Sequence, residues 1–538
     1  MKLLRDRQLN KIFYLAGWLC FVLLVVVDCV RTLYLFPGTS NILTDADLIQ
    51  LPTMFLDLKV DLANFWGWKL PEAPYYFPDT VIFLLINWLV QNTWRSIIVY
   101  SLVQACLLVL ALSWIYREMG GKKTTVFLTV LLGTMSIFTK IYTSLFQSTQ
   151  GLITPYIYYL CSYIHFGTYI CALICLAASL MYLKHSNNFL LIAIILLIFL
   201  TTASDLLFAI YFTLPLIATL LIANKSKIFL IDRKIKRFCY LIFLTSLLAY
   251  IYNKYFDILA STTTVEIKLG KIFISIKTIL VDLWNRELSE QIFLFSAIII
   301  PLIFIIFFIY TSLNNNGTYN SFQKDRAKTY ALIASIYVIS AVILNLLAVI
   351  ILGKYTTIPD SRYLTFVYYS PGAIALTSIG LWLEKIKQIG KIAVATSVTL
   401  SIIAATSLAT KEFPAISRVL SPPNYATCFN LDLPQAGLAG YWQSKPLIAF
   451  SQGKIQIATV TEEGKPSIGN SNRYWYTDSW AKPGTLPQFR FILMKSLDKK
   501  AIAFRYGQPD RIEACVNSEI WWYDNPEVIY SQLMRDGL

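Results

Sequence analysis

Long apolar runs broken by short polar stretches dominate the first 410 residues. A helix needs about 20 apolar residues to cross a hydrocarbon core, so this pattern predicts membrane spans. About eleven are expected, at 12–36, 94–116, 124–141, 165–183, 189–204, 206–223, 238–252, 291–312, 329–352, 363–383 and 392–409. Several are short, and the pair flanking Ser204 and Asp205 reads as a tight hairpin of short helices. After Thr410 the pattern changes. Polar residues predominate, and the runs at 454–460, 488–494, 501–506 and 519–523 are strand-length, bounded by Gly, Pro, Asn or Asp. The expected architecture is an all-α polytopic membrane domain over 1–410 and a small β-rich domain over 411–538.

The polar breaks orient this arrangement. With the N-terminus inside, Lys2, Arg5, Arg7 and Lys11, then Arg117, Lys122 and Lys123, then the basic cluster between Lys225 and Arg237 share the cytoplasmic side. An odd number of crossings puts the C-terminal domain outside. Two outside segments, 37–93 and 253–290, are longer than plain connectors. In the first, the apolar stretch at 81–90 is too short to span and is expected to lie along the interface. The second holds a strand-like or amphipathic piece around 271–283. The first apolar run is too long for a cleavable signal and reads as a retained helix.

Composition agrees with lipid as the main surroundings. Of 538 residues, 56% are hydrophobic and 14% charged, against about 25% charged in soluble domains. The net charge of +15 would suggest nucleic acid if it clustered on a soluble domain. It lies instead in short loops, where it sets orientation, so the expected partner is the bilayer and not nucleic acid. The two histidines, His165 and His185, are too few for a His-based metal site. Most cysteines lie in or beside apolar runs and read as small buried hydrophobes. Cys428 and Cys515 bracket the polar region and would pair in a disulfide if that region is outside.

Candidate chemistry concentrates in the outside loops. Asp45 and Asp47 lie just past the first helix, where a carboxylate would deprotonate or orient an acceptor hydroxyl; solvated loop acids are the plainer reading. The Pro- and aromatic-rich run from Trp66 to Asp79 either anchors the loop at the interface or walls a cleft. Arg362, followed by Tyr363, opens a late helix and would clamp a phosphate bidentately, unless it snorkels or pairs with Asp360. His165, after the Tyr-rich stretch 156–163, and Asp205 are candidates for substrate contact; an interfacial histidine and a helix N-cap are the bland alternatives. Asp28 and Arg31 pair most simply with each other. A glycosylation sequon at Asn316 falls on the expected cytoplasmic side. No Walker loop, Rossmann fingerprint, HExxH or G-x-S-x-G motif is present.

This layout resembles the polytopic glycosyltransferases of the GT-C fold. The resemblance rests on the first helix followed by an acidic loop with Asp45 and Asp47, on Arg362-Tyr363 before a late helix, and on the extracytoplasmic C-terminal domain. It implies transfer of a sugar from a polyprenyl-phosphate donor to a glycan, lipid or protein acceptor outside the bacterial plasma membrane. A first-loop acid, Asp45 or Asp47, would then be the base and Arg362 the phosphate ligand, with Tyr363, His165, Asp79 and Asp205 as further substrate contacts. Some members of that class use a divalent metal. The chain departs from the tight Asp-Glu or Glu-x-Asp signature of typical members. The rival readings are a lipid or glycolipid flippase, and a non-catalytic cell-envelope assembly protein.

Overall fold

The computed structural model describes residues 46–145, 165–256, 268–314, 326–383 and 424–536, apart from short gaps at 48, 72, 227, 229–231, 287, 431–432, 434 and 470, with isolated positions between 12 and 22 and at 399 and 403. The expected first and last spans, Asp28 with Arg31, the Tyr-rich stretch and the Asn316 sequon lie outside the described residues, or nearly so.

The described chain is mostly helical. Six of its helices are long and apolar enough to cross a membrane: Arg95–Glu118, Phe166–His185, Arg233–Tyr255, Leu288–Asn314, Ala327–Ile351 and Asp360–Trp382. Shorter apolar helices cover Tyr76–Val90, Asn188–Ser204 and Ala209–Lys225. The last two form the expected pair around Ser204 and Asp205. The apolar residues at 81–90 form the helix Val81–Val90, and the piece around 271–283 is helix, Leu269–Asn285.

Burial ranks these helices. Phe166–His185 is 83% buried over its apolar window and packs against Thr93–Glu118 at the centre, whereas Leu288–Asn314 is 11% buried and turns its Ile and Phe side chains outward. An outward apolar face of that kind suits lipid and not water. Buried aromatics fill the middle of the bundle, with Tyr169, Tyr211 and Tyr337 all within ring contact of Phe366.

The C-terminal region is a mixed α/β unit. Its strands are β2 (Gln435–Gly440), β3 (Ile455–Val460), β5 (Phe489–Leu493), β6 (Arg511–Cys515) and β7 (Ser518–Trp522), in the order β3-β2-β5-β7-β6. β2 runs parallel to β3 and β5, while β7 is antiparallel to β5 and β6. The parallel pair β2 and β3 is joined by the helix Tyr441–Phe450, as parallel strands require. Three of the four expected strands are present. The fourth, 501–506, is instead part of the helix Lys499–Tyr506, because the Asp498 side chain caps it by accepting from the backbone N–H of Lys500 and Ala501. Cys428 and Cys515 are disulfide-bonded.

This sheet region is built together with the first loop. A two-residue strand β1 (Trp68–Lys69) pairs antiparallel with β4 (Ser471–Asn472). Met54 and Leu56 of the helix Gln50–Val60, with Trp68 and Leu70, belong to the core formed by Leu438, Ile457, Trp475 and Phe491. At the centre of the junction is Asp57, fully buried, whose carboxylate accepts from the side-chain amides of Asn64 and Asn472.

Candidate functional site

The turn Ile358–Leu364 shows why Arg362 is available for chemistry. Pro359 starts it, and the Asp360 carboxylate accepts from the backbone N–H of Thr356 and Thr357, at 2.8 and 2.7 Å, and from both threonine hydroxyls. Asp360 is thereby engaged in capping, and Arg362 pairs instead with Asp47, Nη1 lying 3.2 Å from its carboxylate. The buried Nε–H of Arg362 has no acceptor among the described residues. The following carbonyl, that of Tyr363, accepts from Asn345 at 2.9 Å, which fixes the turn on the helix Arg326–Ile351.

Asp47 is reached from the C-terminal region as well. Tyr441 stands where the parallel strand β2 ends and its helix begins, the end of a parallel strand at which α/β units expose their ligand crevices. Its hydroxyl donates to the other Asp47 oxygen. One turn on, the fully buried Lys445 donates to the Tyr441 hydroxyl at 3.1 Å. Burial pushes the Asp47 carboxyl up, but Lys445 and Arg362, with the Tyr441 hydrogen bond, outweigh that and hold it below the usual carboxylate range. Asp47 is therefore a fixed anion.

A second cluster forms where two helices end. Asp205 terminates Asn188–Ser204 and His165 precedes Phe166–His185. The imidazole Nδ1 lies 2.7 Å from the Asp205 carboxylate, which also accepts from the Thr168 hydroxyl at 2.7 Å and from the Leu207 backbone N–H at 3.0 Å. The Tyr75 hydroxyl is 3.0 Å from Nε2 and 3.2 Å from Nδ1, over the face of the imidazole. The Tyr75 segment is tied down by its own N–H and that of Phe77, which donate to the Ser204 carbonyl and hydroxyl. Tyr75 and His165 both hold left-handed backbone, φ 52° and 45°. Such geometry costs a residue other than glycine roughly 1–3 kcal/mol and collects at functional sites.

The two clusters face one cavity of about 370 Å³, lined by Asp47, Arg362, Tyr363, His165, Asp205 and Tyr441, among others. Five residues singled out in the sequence thus converge. Asp79 does not: it is fully buried, takes a hydrogen bond from Tyr100, and its carboxylate would touch any Cβ added at Gly167, so it braces the start of Phe166–His185 from elsewhere. Asp45 lies outside the described residues.

Sequence reasoning missed Tyr441, Gln50 and Lys354, all on the cavity wall, while Pro71, Ala73 and Tyr75 come from the Trp66 to Asp79 run read as an anchor or a cleft wall. The run Gly437 to Trp442, conspicuous in the sequence, carried a signal for Tyr441. Gln50 is buried at 1% exposure with neither amide atom hydrogen-bonded among the described residues, so an amide donor and acceptor line the cavity uncommitted. Chemically, the cavity offers an arginine with a spare donor for an oxyanion, a fixed carboxylate, an amide suited to hydroxyl groups and a buried His–Asp pair. Among the described residues no group of three or more His, Cys, Asp or Glu is placed to hold a metal ion. No protein-family model matches the chain, and no curated protein is significantly similar to it.

Proposed function

We propose that the protein is a membrane glycosyltransferase that moves a sugar from a polyprenyl-phosphate donor to a glycan, lipid or protein acceptor on the extracytoplasmic side. The observation that carries this reading is Arg362, ion-paired with Asp47 at the cavity wall while its buried Nε–H has no acceptor among the described residues. A phosphate oxygen supplies the acceptor that donor lacks, and guanidinium suits phosphate through its planar fork. The site lies where apolar helix ends meet a polar domain. A lipid-linked donor, with an isoprenoid tail and an ionic head, needs that boundary. Gln50 fits the hydroxyl pattern of a sugar, since an amide donates and accepts at once.

On this reading Arg362 holds the donor phosphate and neutralises charge as the sugar leaves it. Asp47 keeps the arginine oriented before the donor arrives. Binding of undecaprenyl phosphate to protein in nanodiscs tests the assignment. Arg362→Ala should weaken binding at least tenfold and Arg362→Lys should restore it only in part, because a lysine cannot present two parallel N–H groups. Unchanged binding by Arg362→Ala sinks the phosphate assignment. A flippase is separated by product: sugar-lipid moved across vesicles without release of polyprenyl phosphate favours transport.

A further inference from the structure

We propose that His165 and Asp205 form a proton relay that accepts the proton of the acceptor hydroxyl, a role that rests on the transfer reaction proposed above. Asp47 is poorly suited to that task. It is ion-paired with Arg362, hydrogen-bonded by Tyr441 and close to Lys445, so it is held as an anion with its oxygens engaged. Across the cavity, Asp205 takes the Nδ1–H of His165 at 2.7 Å, which leaves Nε2 as the basic nitrogen; the Tyr75 hydroxyl, 3.0 Å from Nε2 and 3.2 Å from Nδ1, lies over the face of the ring. Thr168 and the Leu207 N–H complete the Asp205 shell, fixing the carboxylate that fixes the imidazole. Both Tyr75 and His165 line the cavity.

The step balances without any further reagent. The acceptor oxygen bonds to the anomeric carbon as the bond from that carbon to the phosphate oxygen breaks. The electron pair leaves with the phosphate, held by Arg362. The acceptor proton passes to Nε2 of His165, and Asp205 stabilises the resulting imidazolium. That proton is then returned to the released phosphate or to water. The Tyr363 ring lies 5.1 Å from the imidazole and 5.4 Å from the guanidinium carbon of Arg362, so donor site and relay share one wall. The charged and titratable groups that share the cavity with His165 are Asp205, Tyr75, Tyr363, Arg362, Asp47, Lys354 and Tyr441.

The relay has a spectroscopic readout that needs neither sugar nor acceptor, because the chain has only two histidines. In His185→Gln protein labelled with 15N-histidine and held in nanodiscs, the single imidazole signal is that of His165. It should show the Nδ1–H tautomer, lose that preference in Asp205→Asn, and move on addition of undecaprenyl phosphate. Turnover is followed as release of undecaprenyl phosphate from its glucose, galactose and mannose conjugates, with an alkyl glucoside as acceptor probe. His165→Gln should lower kcat at least 100-fold with donor KM unchanged, the range of positioned acid–base catalysis, and the shape-conserving Tyr75→Phe, which keeps the ring over the imidazole, should lower it less. An Nε2–H tautomer in the parent, or His165→Gln turning over at the parent rate, overturns the relay and leaves transfer standing. Failure of the unmodified protein to release undecaprenyl phosphate from any conjugate overturns both.

Discussion

Asp57 and Asp47 are two carboxylates of one loop with opposite surroundings. Among the described residues no cation lies beside Asp57, and burial pushes its carboxyl up to about 7, against the hydrogen bond from Asn472 that favours the anion. With the native value above the ordinary 3.8, the folded protein holds a proton that the unfolded chain has lost between about pH 4 and 7. Stability is therefore expected to fall as pH rises through that window, by roughly 4 kcal/mol in the limit, and to level off above it. Thermal melts of Asp57→Asn should lack this slope; an unchanged slope would place the titrating group elsewhere. For Asp47 the sign reverses, since Lys445 and Arg362 hold it low. Lys445→Met should raise its pKa, so that, on the function proposed above, the acid-side loss of undecaprenyl phosphate binding should begin at a higher pH than in the parent. Residue type alone displayed both aspartates equally. Their difference depends on a lysine and a tyrosine some 400 residues away in sequence, which no local pattern encodes.

At the scale of elements, two close approaches decide geometry. A Cβ on Gly167 would lie 2.6 Å from the Asp79 carboxylate, and one on Gly437 would lie 2.3 Å from the Phe491 ring. Gly437→Val should therefore pry β2 from β5 and lower stability by about 1–3 kcal/mol, as overpacking does, seen as a lower melting temperature. Gly167→Ala should push the start of Phe166–His185 off Asp79 and disturb the His165 tautomer without touching the cavity. The helices were legible because apolar length is a strong signal. The hairpin at Ser204 and Asp205 was legible because polar residues interrupted it. Strand against helix at 501–506 was not, since a six-residue run has no decisive period and the Asp498 cap outweighed it.

The C-terminal unit is tied by a disulfide spanning 87 residues, from the turn before β2 to the end of β6. Removing a cross-link of that span is expected to cost about 2–4 kcal/mol. Cys428→Ser or Cys515→Ser should lower the melting temperature of the sheet region, followed by its tryptophan fluorescence, and a melt insensitive to both would argue against the cross-link as a support. The domain-like polarity change at 410 was visible in sequence. The embrace of the first loop was not, because Met54, Leu56 and Trp68 reach the C-terminal core across more than 350 residues of chain.

The bond from Tyr441 to Asp47 spans 394 residues, and it sets an order of events during synthesis. Asp47 leaves the ribosome early, and a nascent chain that stops short of residue 441 has neither the phenol nor Lys445 to hold that carboxylate. The cavity is thus completed only once the distal polypeptide has emerged and folded back onto the loop made first. Truncated or stalled products that lack Tyr441 and Lys445 would expose half a pocket and no finished one.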